Sequence, residues 1–468
     1  MSTSHSFHLI GIGGAGMSVV AELLKDRGLE VSGSDQKDSP VLDHLRSVGV
    51  KVFVGHDASH VPAGSVVVVS TAVRETNPEL AYARKEGLRV IHRSQALALA
   101  ASGMRFVAVA GAHGKTTTSG MLSMALRQAG ADPSIAVGSV IPELGSGAHL
   151  GSGDIFVAEA DESDGSFLNY TPWIEIVTNV EPDHLDRYGS REAFEQVFVD
   201  FVGCLREGGT LVCCGEDAGS ARLARYAKGR GIDTVTYGRE GQESPELGAP
   251  CDVVIKDATT DGHVASAQVL WNAETVEINL RVPGLHNIVN AVAAWIAGVR
   301  LGIEAHLMAS SLTAFSGTSR RFEFKGESGG RRLYDDYAHH PTEVAAAITQ
   351  ARSAAGNGEV SVVFQPHLYS RTQSFAERFA DALSHADHVY VCDIYGARED
   401  PVPGVDSTLI TSHLPKARYV PDMHEAARLA AREVSEGGIL LTMGAGSITQ
   451  CDQDVLDEWE HDGAGSAQ

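Results

Sequence analysis

The chain has 468 residues, which at about 150 residues per domain favours roughly three domains and excludes a single small module. With 37 Lys plus Arg against 60 Asp plus Glu, its formal charge of −23 excludes nonspecific nucleic-acid binding through phosphate neutralisation. An anionic ligand therefore has to be gripped locally, while 43% hydrophobic residues, 6% aromatics and 50 glycines point to α/β layers packed with Ala, Val and Leu. No apolar run reaches the roughly 18 to 20 residues of a membrane span, and the start Met1 to Ser6 lacks the pattern of a signal peptide. A cytoplasmic protein without membrane insertion is expected. Cys204, Cys213, Cys214, Cys251, Cys392 and Cys451 are scattered without a CxxC pair and read as buried or incidental thiols.

In chain order, residues 1–103 carry 10 basic and 10 acidic side chains, 104–317 carry 14 and 27, and 318–468 carry 13 and 23, so the deficit lies in the last two thirds. Strand-like Phe7 to Ile10, Val50 to Val54 and Val66 to Val69 alternate with helical Met17 to Arg27 and Glu79 to Lys85, the rhythm of a parallel sheet. A second start follows at Phe106 to Ala110, which runs through a glycine turn into a helix over Thr116 to Gln128. Gly238 to Thr260 reads as loops and edge strands, and Ile288 to Leu301 as a helix. After Ser316-Gly317-Thr318-Ser319 comes a predicted strand over Arg321 to Phe324, then alternating strands at Val362 to Phe364, Val389 to Val391 and Ile439 to Thr442. Asp452 to Gln468 reads as an acidic helix end that frays. The expectation is an α/β protein of three domains. They are a Rossmann-like N-terminal domain (1–103), a central P-loop ATPase-type domain with a mostly parallel sheet (104–317) and a C-terminal Rossmann-like α/β domain (318–468).

Two glycine loops carry the chemistry. Gly11-Ile12-Gly13-Gly14-Ala15-Gly16 follows a strand, opens a helix and has Asp35 at the end of the next strand, the setting in which backbone approaches a diphosphate. By itself this loop fits an NAD(P) dehydrogenase, and it does not name the nucleoside. Gly111-Ala112-His113-Gly114-Lys115-Thr116-Thr117-Thr118 is more specific: backbone N–H groups, a lysine and a hydroxyl between strand and helix suit a nucleoside triphosphate with Mg²⁺, although Val109 stands at the usual first glycine. A triphosphate site also needs a carboxylate for its hydrated metal. Glu159 at the end of a hydrophobic strand is the first candidate, whereas Asp161 and Asp164 read as a solvated loop. His184, among the acids of Asn179 to Asp186, is a second candidate metal ligand.

These blocks, with Ser70 to Val73, Gly284 to Asn287, Arg320 to Glu323, Asp335 to Pro341, Gln365 to His367, Ser370 to Thr372 and Gly444 to Ser447, run nearly end to end and resemble the Mur ligase family of peptidoglycan synthesis. The resemblance implies ATP-dependent joining of L-alanine to the lactyl carboxylate of UDP-N-acetylmuramate through an acyl phosphate, by a monomer or homodimer. It implies that Gly11, Gly13, Gly14, Gly16, Asp35, Ser70, Thr71, His92 and Arg93 hold the UDP-sugar. The loop from Gly111 to Thr118, with His286, Asn287, Asn290 and Arg320, would hold ATP; Thr116, Glu159 and His184 would hold one or two Mg²⁺, with Mn²⁺ as a substitute. Tyr337, His339 and Arg371 would line the alanine pocket, and Lys115, Glu159, His184, His339 and Arg371 would carry the catalysis, with His339 or Asp336 taking the amine proton. Two departures from the family pattern stand out, Ala112 in place of Thr and Leu368 in place of Arg. The competing readings are a ligase of the same superfamily that recycles a peptide, an NAD(P)-dependent oxidoreductase, and a nucleotide-binding regulator.

Overall fold

In a computed structural model of the chain, which describes residues 6–183, 185–397 and 399–465, the strands assemble into three sheets. Two compact units result: residues 1–258, 266–280 and 288–316 form one, and 259–265, 281–287 and 317–468 form the other.

The first sheet has five short strands in the order Lys51–Val54, Glu30–Asp35, Ser6–Ile10, Val66–Val69, Val90–His92, all parallel. Parallel strands covered on both faces read as continuous apolar runs, and Val66, Val67 and Val68 are buried accordingly. Prolines preset the first turns of the helices Pro40–Ser47 and Pro78–Lys85, each behind a capping side chain, Ser39 and Asn77. The strand order reverses between Ser6–Ile10 and Val66–Val69. Ligands bind at the carboxyl ends of strands that flank such a switch, and these two ends carry Gly11 to Gly16 and Ser70-Thr71.

The second sheet has ten strands, with Arg105–Ala110 between Ile174–Val177 and Ile155–Glu159, parallel to both. Its three central carboxyl ends therefore present the loop at Gly111, the segment after Thr178 and Glu159 side by side. In the third sheet Arg331–Asp336, Ile439–Met443, Val360–Phe364 and His388–Val391 lie next to one another in parallel. Their carboxyl ends likewise converge.

Three readings of the sequence are corrected. Gly238 to Thr260 is not merely loop and edge, because Val253–Thr260 sits inside the second sheet, with Ala265–Trp271 and Glu274–Leu280 beyond it. The strand predicted from Arg321 begins at Glu323, since Arg320 and Phe322 take positive φ values of 61° and 47°. The acidic tail is a packed helix, Asp452–Gly465, whose Val455 and Trp459 are buried one turn apart; the Trp459 indole donates to Ala431 O at 2.9 Å. Five of the cysteines are buried and Cys204 is half-buried, all as free thiols.

Glu175 stands alone in this core. It is fully buried on the strand Ile174–Val177, neither carboxylate oxygen has a hydrogen-bond partner among the described residues, and burial pushes its carboxyl well above the usual range. A carboxyl whose folded pKa lies above its unfolded one costs stability progressively as pH rises from the unfolded value towards the folded value. Glu175→Gln is therefore expected to raise the melting temperature over the parent by more at pH 8 than at pH 5. A difference that stays flat across that range would mean that Glu175 does not stay protonated in the fold.

Candidate functional site

The glycine loop after Ser6–Ile10 is pinned by its own sheet. Gly11 and Ile12 donate to Ser34 O at 2.8 and 3.0 Å, and Gly13 N–H donates to Asp35 Oδ2 at 2.9 Å. Asp35 thus shapes the loop from the neighbouring strand end. Arg93, the first residue of the helix Arg93–Ala100, reaches over the start of the loop's helix: a Cβ at Gly16 would lie 2.1 Å from its Nη1. Thr71 and His92 meet at 3.3 Å beside it, and burial keeps the imidazole below its usual pKa although Asp164 opposes this. Of the residues expected around a UDP-sugar, the structure gathers Gly11 to Gly16, Asp35, Thr71, His92 and Arg93, with Ser70 at the adjoining strand end.

The second loop is built more tightly. Gly111 has φ 129° and Gly114 has φ 83°, and a Cβ at either would collide, with Thr178 Oγ1 at 2.2 Å and with Asn290 Oδ1 at 2.7 Å. Thr178 and Asn179, which follow the neighbouring strand Ile174–Val177, clamp the loop at His113. Asn179 accepts from His113 N–H at 3.1 Å and donates to His113 O at 2.9 Å, and the Thr178 hydroxyl donates to the same carbonyl at 2.5 Å. The clamp was missed in the sequence, although it lies in a block that carries the family resemblance. His113 also contacts Glu181 at 3.2 Å.

Lys115 opens the helix Lys115–Gln128 and curls back, donating to Gly111 O at 2.6 Å, Ala112 O at 3.4 Å and Glu162 Oε1 at 2.9 Å. Burial opposes its charge, but Glu162 and Asp161 outweigh that and hold the ammonium above the usual lysine pKa. Thr116 sits in the same first turn. Glu159 accepts from Gly138 N–H at 2.9 Å at the adjacent strand end. Thr117 is half-buried, whereas Thr118 is fully buried and its amide closes the first helical turn on Gly114 O at 2.9 Å, so its side chain faces the core. His184 lies outside the described residues.

Asp161 and Asp164 are not a solvated loop. Asp161 pairs with Arg93 at 3.2 Å; burial pushes its carboxyl up, but Lys115 and Arg93 prevail and hold it at about 2. Asp164 accepts from the Thr71 hydroxyl and from Ser166 N–H. The segment from Glu159 to Asp164 therefore joins the phosphate-type loop on one side to the first sheet's loop residues on the other.

In the second unit, Tyr337 lies under the guanidinium groups of Arg320 and Arg321, at 4.9 and 5.3 Å from the ring centre. Arg320 itself donates to Asp335 at 3.2 Å and to Gly444 O at 2.6 Å. His339 lies 5.2 Å from Tyr337 and 5.7 Å from His367 between ring centres, and Arg371 Nη1 is 3.2 Å from His367 Nδ1. Tyr337, His339 and Arg371 are thus brought together, with His367 as the link. His339 Nδ1 lies 2.9 Å from Tyr337 O; a carbonyl only accepts, so Nδ1 carries the proton and Nε2 is the basic nitrogen. Glu343 fixes this turn by accepting from His339 N–H at 3.0 Å and His340 N–H at 3.3 Å, three residues past the cap in capping-box spacing that the sequence already displays. Asp336, the other candidate base, accepts from Phe322 and Ala338 N–H at 2.7 Å each, and burial pushes it up to about 6 against the pull of Arg321. It is a backbone clamp. Leu368 is 2% exposed at φ 72°, buried where an arginine was expected. His286 is exposed and Asn287 is buried, its amide donating to Pro283 O at 2.6 Å.

Comparison with known proteins matches three family descriptions in order along the chain. "Mur ligase family, catalytic domain" covers residues 6–105, "Mur ligase middle domain" 109–298 and "Mur ligase, glutamate ligase domain" 320–446. The UDP-N-acetylmuramate–L-alanine ligase of Renibacterium salmoninarum is 49% identical over 96% of this chain and 95% of its own. That of Kineococcus radiotolerans is 51% identical over the same shares. The crystal structure of the UDP-N-acetylmuramate-alanine ligase of Thermotoga maritima superposes with a TM-score of 0.80 at 27% identity, covering 98% of this chain and 99% of that one. A murein peptide ligase from Psychrobacter arcticus shares the fold, with a TM-score of 0.72 at 24% identity over 97% and 98% of the two chains.

Asn179→Ala removes two of the three bonds that hold the His113 backbone, leaving that of Thr178, without touching the loop's own residues. At about 1 kcal/mol per bond, nucleoside triphosphate affinity is expected to fall roughly tenfold to thirtyfold with little change in melting temperature. Isothermal titration with a nonhydrolysable analogue measures this, and unchanged affinity would show that the clamp does not shape the binding conformation.

Proposed function

The chain belongs to the Mur ligase family, and from that membership we propose that it joins L-alanine to the lactyl carboxylate of UDP-N-acetylmuramate, converting ATP to ADP and phosphate. The observation that carries this reading is the 49–51% identity to UDP-N-acetylmuramate–L-alanine ligases over 96% of the chain, combined with a Lys115 loop of triphosphate type. Residues 1–103 hold the UDP-sugar, 104–317 ATP and 318–468 the amino acid. No helix among the described residues is long and apolar enough to cross a membrane.

A carboxylate is a poor acyl donor, so the lactyl group first attacks the γ-phosphorus of ATP in line, forming an acyl phosphate and releasing ADP. Lys115 exchanges its contacts with the loop carbonyls for phosphate oxygens, and its raised pKa keeps it charged throughout. The diphosphate of the sugar nucleotide lies on the loop Gly11 to Gly16, whose N–H groups and helix N-terminus favour anions, while Arg93 adds a positive charge beside it.

The donors at the second loop suit Mg²⁺: the Thr116 hydroxyl in the first turn of the helix Lys115–Gln128 and the Glu159 carboxylate at a strand end are hard oxygens, and His184 is the candidate for a second ion. The metal, when bound, offsets charge on the transferring phosphoryl group. Alanine enters as its carboxylate pairs with Arg371, and its free amine attacks the acyl carbon. Nε2 of His339 takes the proton lost from nitrogen as phosphate leaves. Of the two candidate bases, His339 is favoured because both oxygens of Asp336 are engaged by backbone N–H groups.

Phosphate release with ATP, UDP-N-acetylmuramate and each of L-alanine, glycine, L-serine and an L-alanyl peptide tests donor and acceptor together. Turnover is expected with L-alanine. Turnover with the peptide but not with alanine would transfer the chain to the recycling reaction. Lys115→Ala is expected to lower kcat roughly a hundredfold to a thousandfold while leaving UDP-sugar affinity within about twofold; retained turnover would remove Lys115 from the site.

A further inference from the structure

Away from the alanine pocket, three donors of different chemistry converge in the second unit. His424 lies on the helix Met423–Glu433, Cys451 ends the 3-10 turn Ser447–Cys451, and Asp454 opens the helix Asp452–Gly465. His424 Nδ1 is 2.6 Å from Asp454 Oδ2 and 3.7 Å from Cys451 Sγ, and one donor atom from each residue lies within 4.8 Å of the other two. A tetrahedral ion bound at about 2.3 Å to sulfur and about 2.0 to 2.1 Å to nitrogen and oxygen sets N···S near 3.6 Å and N···O near 3.4 Å. The imidazole–thiol spacing is already that of a shared ion, and the imidazole–carboxylate pair has to open by roughly 0.8 Å. We propose that His424, Cys451 and Asp454 bind a thiophilic divalent cation of the Zn²⁺ class, with the fourth position open to water.

The same three residue types could suggest a nucleophilic relay, but a relay needs the thiol and the carboxylate on opposite ring nitrogens. Here both face Nδ1, which suits a shared cation. Arg428 Nη1 holds Asp454 Oδ1 at 2.6 Å and leaves Oδ2 directed at the site, the usual duty of an outer partner of a metal-binding carboxylate. The His424 side chain is 40% exposed and gives an entry path, while Cys451 is fully buried and makes the site selective for soft ions over Mg²⁺. Without metal, burial and the charges of Asp454, Asp452 and Asp422, opposed by Arg428, hold the thiol at about 12. Loading replaces the S–H bond by a metal–sulfur bond and releases one proton, so affinity is expected to rise about tenfold per pH unit.

The test titrates Co²⁺ into the metal-free full-length protein. One thiolate-to-cobalt charge-transfer band is expected, saturating at one ion per chain and bleached by Zn²⁺. Co²⁺ on the oxygen donors of the Mg²⁺ site gives no such band. Cys451→Ser should abolish it, Asp454→Asn and His424→Ala should weaken binding at least tenfold, and Cys204→Ser, which removes the one half-buried thiol, should leave it intact. Because Cys451 is buried, the more exposed His424→Ala, with an unchanged melting temperature in chelator, guards against a folding artefact. No band in the parent protein, or a band that survives both Cys451→Ser and His424→Ala, overturns the site.

Discussion

A lysine that is largely withdrawn from water is stabilised by a nearby anion, and much of the protein around Lys115 is arranged about that pairing. Lys115, 17% exposed at the base of the second loop, is paired at 2.9 Å with Glu162, itself 1% exposed, and this carboxylate with Asp161 offsets the cost of withdrawing the ammonium from water. Fixing Glu162 fixes the segment on either side of it. Glu159 ends its strand with its carboxylate on Gly138 N–H, Asp161 turns to Arg93, and Asp164 to Thr71. One ion pair thereby ties the loop at Gly111 to the residues around the first glycine loop, Arg93 and Thr71.

The rest follows from sheet order. Parallel strands deliver their carboxyl ends to one edge, and each sheet places its chemistry where neighbouring ends meet: Gly11 beside Ser70, Gly111 between Glu159 and Thr178, and Tyr337 with His367 and Gly444. Net charge is no obstacle to anionic substrates under this arrangement. The loops offer oriented N–H groups, and the few cations near them, Lys115, Arg93, Arg320 and Arg371, are each held by short contacts with fixed partners.

What was legible in the sequence was what depends on near neighbours. The strand–Gly-Lys-Thr–helix unit fixes Lys115 and Thr116, and the alternation of apolar runs gives three α/β layers. What was not legible depends on partners far along the chain. Asp161 and Asp164 read as solvent-facing acids because their cations and hydroxyls stand 68 and 93 residues away. Asn179 could be seen as part of a block but not as a clamp, since that role exists only because Ile174–Val177 lies next to Arg105–Ala110. The acidic count of the last seventeen residues concealed the Val455–Trp459 stripe that buries their helix.

If Glu162 matters because it positions and charges Lys115, its loss has nothing left to affect once Lys115 is gone. The measurement is a double-mutant cycle on ATP affinity by calorimetry, comparing the parent, Glu162→Gln, Lys115→Ala and the pair. Full coupling is expected: Glu162→Gln weakens binding in the parent, and the double variant binds no worse than Lys115→Ala alone. Additive losses would show that the two residues act independently and that the buried ion pair is not what organises the site.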